Sequence, residues 1–294
     1  MKKTIIIIFF AVMSLPWCMA QQGQVAAVRN QVPDAYNFWL YAPQEYFDNP
    51  DEDFPLIIFL HGASLCGHDM NKSRRYGVLD AIAKGRKVEA LVVTPQNPGG
   101  GWKPDKINRI LDWTLDNYRV NPCRVNVIGM SLGGYGTMDF VGTYPERIAA
   151  AMALCGGCSL KDVQGLGTLP FWIMHGTGDR AINVSESRKV VDALKREGND
   201  ELLRYDWLPG ASHGRLARIF YLAQTYDWLL SHDKSDFPQE VNRTININLD
   251  EMSRAYSDLD PHGKTITTVK SIEKTGSGKL QEPEFDDEED EIYE

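Results

Sequence analysis

The sequence predicts an α/β fold in which a mostly parallel central sheet carries helices on both faces. Strand-like and helix-like segments alternate along most of the 294-residue chain, and this alternation is typical of parallel sheets. Several strand-like segments are continuously apolar, as expected of strands that are covered on both faces. Polar residues and glycines follow directly after these segments, where such sheets bind their ligands.

The individual elements follow from the hydrophobic period and from the positions of glycine and proline. The predicted strands are 36–41, 54–60, 88–94, the run from 124 to Gly129, 148–155, 169–175 and 202–208. The predicted helices are 70–84, 106–118, 132–144, 184–196 and 216–230. Only a short loop fits between the strands that end near Leu154 and begin near Leu169, so no large lid is expected.

The most informative stretch is Gly129-Met-Ser131-Leu-Gly133, which lies between a predicted strand and a predicted helix. Gly-x-Ser-x-Gly at a strand–turn–helix junction is the pattern of a nucleophile elbow. The serine of such a turn has a strained backbone that exposes its hydroxyl, and the flanking glycines let the strand and the helix pack closely. Ser131 is therefore the candidate nucleophile.

A nucleophilic serine needs a base and an orienting acid, which follow it in the order acid, then histidine, on this type of sheet. Of the six histidines, His213 is the one in the loop between the last predicted strand and the last helix. Asp179 directly follows the strand 169–175, within a turn that contains two glycines. The alternative for His213 is a solvated loop histidine, and the alternative for Asp179 is an ordinary turn aspartate. The positions of the two residues and their order in the chain favour a catalytic role for each.

Two backbone N–H groups are expected to form an oxyanion hole, one from Leu132 after the nucleophile and one from Ala63 after an early strand. Trp102 lies on a glycine-rich loop at the end of a strand. We expect it at the rim of a substrate pocket, and a tryptophan of the core is the competing interpretation.

The composition argues against several other classes of protein. The histidines and cysteines lack metal-ligand spacing, and no glycine-rich loop followed by lysine opens a helix, so we expect neither a metal ion nor a cofactor. The net charge is −9, and residues 281–294 hold nine acidic residues and no basic one. The rest of the chain is nearly neutral and has no basic stripe, which argues against nucleic acid as a partner.

The first twenty residues predict export. Two lysines precede an apolar run that is shorter than the about 20 residues of a membrane span, and Ala20 suits cleavage by a signal peptidase. A lipoprotein anchor at Cys18 is the alternative, but Trp17 is bulky where such sites have a small residue. In an oxidising compartment Cys66, Cys123, Cys155 and Cys158 could form disulfides, and three pairings are possible.

The predicted organisation is a signal peptide at 1–20, a catalytic domain at 21–234 and a C-terminal appendage at 235–294. Glycine, serine, lysine and acidic residues dominate the appendage, although 244–249 and 265–270 could each form a short strand. We expect the acidic tail, 281–294, to be disordered.

With these residues in view, the chain resembles the α/β-hydrolase superfamily. The resemblance rests on Leu60-His-Gly, the stretch Val127 to Gly136, His175-Gly-x-x-Asp and Gly210-x-x-His, and it covers residues 36 to 231. Within the superfamily, the chain is similar to secreted bacterial esterases of the dienelactone hydrolase-like and phospholipase/carboxylesterase group, which includes feruloyl-esterase-like proteins and predicted peptidases. Dienelactone hydrolases themselves have cysteine in place of Ser131, so the resemblance does not imply their activity.

The resemblance implies a serine esterase of the periplasm or the extracellular space, with Ser131, Asp179 and His213 as its triad. We expect its substrate to be a small ester or an acyl or aryl ester on a polysaccharide. A small serine peptidase could use the same residues. A surface binding protein on a hydrolase scaffold is the alternative from outside enzymology, and the complete set of catalytic residues argues against it.

Overall fold

The computed structural model describes residues 23–260 and 266–274. Within these residues the strands form one sheet in the order β8-β7-β6-β5-β3-β4-β2-β1-β9. The strands are β1 (Gln24–Val28), β2 (Phe38–Ala42), β3 (Phe54–Leu60), β4 (Leu91–Pro95), β5 (Val120–Met130), β6 (Ala150–Leu154), β7 (Phe171–Gly176), β8 (Leu203–Leu208) and β9 (Thr267–Val269). Only the pairings that involve β2 are antiparallel in this part of the chain.

Helices connect the strands and cover both faces of the sheet. They are α1 (Gln44–Asp48), α2 (Val78–Ala83), α3 (Pro104–Asn117), α4 (Leu132–Thr143), α5 (Ser185–Arg196), α6 (His213–Leu216), α7 (Ala223–Leu230) and α8 (Leu249–Ser253). Helices α3, α4 and α5 contribute to the core on one face, and α2, α7 and α8 contribute to the core on the other. The prediction of a mostly parallel sheet with helices on both faces is therefore confirmed.

Strand β3 shows why a continuously apolar run predicts a central strand. All seven of its residues are buried. Leu56, Ile58 and Leu60 point into one core, whereas Ile57 and Phe59 point into the other. Because side chains alternate between the faces of a sheet, a strand covered on both sides has no position for a polar residue.

Two predicted helices differ in the structure, and one strand is additional. The helix predicted at 70–84 is a 3-10 helix at Met70–Arg74 followed by α2, because Gly77 between them has φ 97°. The helix predicted at 216–230 starts earlier, with α6, continues as a 3-10 helix at Ala217–Tyr221, and is interrupted at Leu222, whose backbone is extended. The short strand β1 was not anticipated from the sequence.

The connection between β6 and β7 contains one short 3-10 helix, Gln164–Gly167, and no larger insertion. The mouth of the sheet above β6 is therefore open, in agreement with the expectation of no large lid. The described helices include none with the length and apolar character that a membrane span requires.

The described part of the predicted appendage packs against the rest of the chain. Met252 and Ala255 are buried in the same core as α7, and β9 extends the sheet beside β1. The strand expected at 244–249 is wrong, since these residues are irregular up to the start of α8. The carbonyl of Ile245 instead accepts a hydrogen bond from the Arg204 guanidinium.

Two further predictions fall on residues outside the described part of the chain: the signal peptide at 1–20 and the disordered acidic tail at 281–294. The division of the chain at residue 234 stays a prediction. The four described cysteines carry free thiols.

Candidate active site

Ser131 lies at the turn between β5 and α4 with φ 60° and ψ −121°. A non-glycine residue in this region is strained, as expected of a nucleophile elbow. A β-carbon on Gly129 would overlap the carbonyl oxygen of Gly133, and one on Gly133 would overlap the carbonyl oxygen of Leu60. The two glycines are therefore required by close backbone packing around the turn.

Asp179 and His213 form a hydrogen-bonded pair at the same edge of the sheet. Nδ1 of His213 lies 2.7 Å from Oδ2 of Asp179. The other carboxylate oxygen, Oδ1, accepts hydrogen bonds from the backbone N–H groups of Ala181 at 2.8 Å and Ile182 at 2.9 Å. The Asp179 side chain is fully buried, whereas that of His213 is 26% exposed, so the ring can exchange protons with a bound substrate.

The environment of Asp179 favours its anionic form. Burial acts to raise the pKa of this carboxyl, but the N–H groups of Ile182 and Ala181 and the His213 ring together hold it below its usual value. An anionic Asp179 accepts the Nδ1 proton of His213, which leaves Nε2 of that ring free to act as a base.

Ser131 and the Asp179–His213 pair are linked through Cys155, which follows β6. The backbone N–H of Ser131 donates to the carbonyl of Leu154 at 2.9 Å. Sγ of Cys155 lies within 4.8 Å of a carboxylate oxygen of Asp179 and a ring nitrogen of His213. The hydroxyl of Ser131 makes no hydrogen bond to His213 within the described residues. Such bonds are often long in unliganded enzymes and shorten when substrate binds.

The loop after β3 presents the other half of the predicted oxyanion hole. Nε2 of His61 accepts the N–H of Asn97 at 3.1 Å, so the ring proton is on Nδ1, which donates to the carbonyl of Gly62 at 2.8 Å. Burial lowers the pKa of His61 and keeps the ring neutral. Since the carbonyl and the next N–H of a trans peptide point in opposite directions, this bond fixes the direction of the Ala63 N–H.

Ala63 opens a 3-10 helix and Leu132 opens α4, so neither N–H has a partner inside its own helix. A β-carbon on Gly62 would lie 3.4 Å from Cβ of Ser131, which places the loop against the elbow. Both N–H groups are thus located beside the candidate nucleophile, as the sequence predicted. Their role in binding an oxyanion stays a prediction.

Comparison with known proteins agrees with this geometry. An acetylxylan esterase A of Emericella nidulans is 25% identical over 160 residues, which make up 46% of this chain and 49% of the esterase. An acylamino-acid-releasing enzyme of Arabidopsis thaliana is 23% identical over 184 residues, which make up 58% of this chain and 23% of the plant enzyme. The chain thus spans about half or less of the length of these relatives. No model of a protein family matches the chain.

Solved structures give the same result. A thermostable esterase is 25% identical and superposes with a TM-score of 0.62 over 72% of this chain and 63% of the esterase. MGS-M1, an α/β hydrolase from a deep-sea metagenome library, is 14% identical with a TM-score of 0.51 over 67% of this chain and 85% of that enzyme. The chain has the α/β-hydrolase fold. The resemblance inferred from its sequence motifs is thereby confirmed.

A second histidine, His175, contacts the candidate acid. Its Nε2 lies 3.5 Å from Oδ2 of Asp179 and 3.0 Å from the carbonyl of Ile182, and its Nδ1 lies 2.7 Å from Oγ of Ser187. The ring is buried, which lowers its pKa. Sequence reasoning assigned His175 no role, since its position next to a strand-end glycine gives no sign of these partners.

Cys155 is the other residue of the site that sequence reasoning missed. Its φ of 40° is unusual for a residue with a side chain. Its thiol is buried, and burial raises the pKa, so the sulfur is protonated at neutral pH. The close approach of Cys155, Asp179 and His213 resembles a ligand set for a metal ion. We interpret these three residues as part of a candidate hydrolase site and not as a metal site, because the His213 ring and the Asp179 carboxylate are already joined by a hydrogen bond.

Trp102 does not lie at a pocket rim, so this expectation is wrong. The side chain is 4% exposed, packs edge-on against His61 with ring centroids 5.0 Å apart, and donates from Nε1 to the His61 carbonyl at 3.2 Å. A helix β-carbon at Gly136 would contact its ring at 2.6 Å. Trp102 therefore supports the loop after β3 from behind and offers no surface to a substrate.

Proposed function

We propose that the chain is a serine hydrolase that cleaves carboxylic esters through Ser131, His213 and Asp179. The observation that carries the proposal is the Asp179–His213 pair, which lies at the same sheet edge as the strained turn of Ser131. The esterases among the relatives and structural neighbours support the same reaction class.

The reaction follows from the positions of these groups. Oγ of Ser131 attacks the ester carbonyl while Nε2 of His213 takes its proton, and anionic Asp179 stabilises the resulting imidazolium. The N–H groups of Leu132 and Ala63 then stabilise the oxyanion, each by about 3 kcal/mol. His213 returns the proton to the leaving alcohol, and it afterwards activates the water that hydrolyses the acyl-enzyme.

For the substrate, we infer an acyl or aryl ester displayed on a bulky carrier such as a polysaccharide. The short connection between β6 and β7 leaves the mouth of the sheet open, so a carrier need not enter an enclosed cavity. The similarity to an acetylxylan esterase supports this class of substrate. Export through the predicted signal peptide would bring the enzyme to such a polymer.

Peptide hydrolysis is the second candidate. The similarity to an acylamino-acid-releasing enzyme covers a larger share of this chain than the similarity to the acetylxylan esterase. Amides and esters are cleaved through the same tetrahedral intermediate, so the geometry of the site serves either. The ratio of kcat/KM for matched acyl esters and acyl peptides decides between the two.

The direct test is a screen of acetylated, feruloylated and lipid esters with the wild-type protein and with Ser131→Ala. We expect short acyl or aryl esters to be hydrolysed, and Ser131→Ala to reduce kcat by at least about 10⁴-fold. Ser257→Ala, at an exposed position of the C-terminal segment, is the matched control and should behave as wild type. Undiminished turnover by Ser131→Ala, or failure of a fluorophosphonate to label Ser131 in the wild type, would contradict the proposal.

A further inference from the structure

We propose that the hydroxyl of Tyr76 is a third hydrogen-bond donor to the oxyanion, beside the N–H groups of Leu132 and Ala63. The inference rests on the proposed ester hydrolysis and adds a catalytic side chain that neither the motifs nor the comparisons assign. Tyr76 precedes α2, and no sequence pattern marks it.

The first observation is the direction of the hydrogen bond at this hydroxyl. The backbone N–H of Gly62 donates to the Tyr76 oxygen at 2.8 Å. A phenol carries one proton of its own. The Ser64 hydroxyl is a second partner of the phenol, and its hydrogen bond lowers the Tyr76 pKa, as expected of a donor to the phenol oxygen. Gly62 and Ser64 together then occupy the oxygen as donors and leave the phenol proton unused. The proton is therefore available to a group that enters the site.

The second observation is the location of the hydroxyl next to the nucleophile. A β-carbon on Gly62 would lie 2.8 Å from the Tyr76 oxygen and 3.4 Å from Cβ of Ser131. The phenol and the serine thus border the same point of the loop after β3. An acyl carbon attached to Ser131 Oγ would place its oxygen on the side of Ser131 where this loop lies.

The third observation is that the ring is held in one orientation. Tyr76 is half-buried and packs edge-on against Phe59, with ring centroids 6.3 Å apart. It also packs against Phe220, with tilted rings whose centroids are 6.2 Å apart. The next residue, Gly77, has φ 97°, and a β-carbon there would overlap the Phe59 ring. The turn that carries Tyr76 therefore accepts glycine alone, and the packing pre-orients the hydroxyl before substrate binds.

The chemistry of the hydroxyl suits a donor. Burial raises the pKa of Tyr76 by more than the hydrogen bonds from Gly62 and Ser64 lower it, so the phenol is neutral at pH 7. A donor that already accepts a hydrogen bond is polarised by it, which strengthens the bond it gives. As negative charge develops on the carbonyl oxygen, the Tyr76 proton and the two N–H groups can stabilise it together.

The first experiment compares the wild type with Tyr76→Phe, which keeps the ring and removes the hydroxyl. We expect kcat to fall about 100-fold, the effect of losing one oxyanion donor, with little change in KM. A trifluoromethyl ketone, which forms a tetrahedral adduct with a serine nucleophile, should bind more weakly by a similar factor. Tyr144→Phe removes a hydroxyl that donates to Asp105 at 2.8 Å on the surface; it is the control and should keep wild-type kinetics.

Loss of the acceptor for Gly62 N–H could also lower the rate, so a second variant separates the two roles. Replacement of Tyr76 by 3-fluorotyrosine gives a more acidic phenol, which is a better donor and a poorer acceptor. At a pH below the pKa of that phenol, a donor role predicts kcat at or above wild type and tighter binding of the ketone. If Tyr76 acts only as an acceptor for the Gly62 N–H, both kcat and the affinity for the ketone should decrease.

The outcomes separate this inference from the proposed function. A wild-type protein that hydrolyses no ester and binds no fluorophosphonate contradicts the function itself. An active wild type with Tyr76→Phe within twofold of its kcat, or with a slower 3-fluorotyrosine variant, contradicts only the role of Tyr76.

Discussion

The N–H of Asn97 donates to Nε2 of His61 at 3.1 Å, and this bond decides which nitrogen of the buried ring carries the proton. The remaining nitrogen, Nδ1, then donates to the Gly62 carbonyl. A backbone contact from the end of β4 thus sets the tautomer of a side chain that orients the loop beside Ser131. The histidine of the Leu60-His-Gly stretch thus orients the loop that lies against Ser131.

His61→Ala should therefore impair catalysis without removing the catalytic groups. We expect kcat to fall about 10- to 100-fold, because the direction of the Ala63 N–H is no longer fixed, while KM changes less. Trp102→Phe is a useful comparison, since it keeps an aromatic ring against His61 but loses the bond to the His61 carbonyl and part of the buried ring system. It should retain most of the wild-type kcat, whereas an equal loss in both variants would show that general loosening of the loop is responsible.

Gly133→Ala should prevent the elbow from forming, because the added carbon would overlap the Leu60 carbonyl oxygen in the backbone of β3. Neither backbone segment can move without disturbing the sheet, so we expect a loss of about 4 kcal/mol or more in the free energy of unfolding. In Gly101→Ala the new carbon has no neighbouring atom within 4 Å. This variant should change the free energy of unfolding by about 0.5 kcal/mol or less. Urea denaturation of the two variants measures the difference, and equal stabilities would contradict the packing argument.

Three buried histidines should make the fold less stable on mild acidification. Burial lowers the pKa values of His61, His175 and His232, so below about pH 6.5 the unfolded chain binds protons that the folded chain does not. The contribution of the three neutral histidines to the free energy of unfolding is complete above that pH. It is lost as the pH falls towards the pKa values of these histidines in the folded chain. The Tm should therefore decrease between pH 7 and pH 5.

His232→Gln tests this dependence, since glutamine can still accept the Asn242 N–H that His232 accepts at 3.1 Å. The decrease in Tm with acidification should be smaller in this variant. His68→Gln, at an exposed position, should leave the slope unchanged. A His232→Gln slope identical to wild type would show that this ring does not contribute to the pH dependence.

The C-terminal segment should contribute to the stability of the catalytic part of the chain. Met252 is fully buried in the core shared with α7, whereas Phe237 is 98% exposed. Met252→Ala should lower the free energy of unfolding by about 2–4 kcal/mol, and Phe237→Ser should change it by about 0.5 kcal/mol or less. If the segment unfolded independently, Met252→Ala would leave the main transition, followed by tryptophan fluorescence, where it is in the wild type.

The sequence predicts those features that depend on short-range patterns. The buried strands β3 and β7, the elbow at Ser131 and the order of acid and base are readable because apolar runs, glycines and chain order each have a local physical cause. Trp102 was ambiguous, since a tryptophan after a glycine-rich loop suits a rim or a core, and only the position of His61 decides between them. Tyr76 and Cys155 could not be recognised as site residues, because their partners lie in other elements and loops of the fold.

The two short strands that composition allowed in the C-terminal segment have different outcomes. Residues 244–249 have the β-branched composition of a strand, but in the structure their backbone accepts hydrogen bonds from Arg204. The other possible strand, 265–270, does contain a strand, β9, which is stabilised by pairing with β1. Composition alone does not distinguish the two segments, because their hydrogen-bond partners lie far away in the sequence.

The pairing of β9 with β1 joins two strands that are made at very different times during synthesis. Thr267 lies opposite Gln24 at the border of the sheet, so the first and last described strands meet although almost the whole chain separates them. During synthesis the outer side of β1 has no neighbour until residues 267–269 have emerged. An uncovered edge strand can recruit a strand from another molecule, and β9 replaces the five-residue edge of β1 with an edge of three residues.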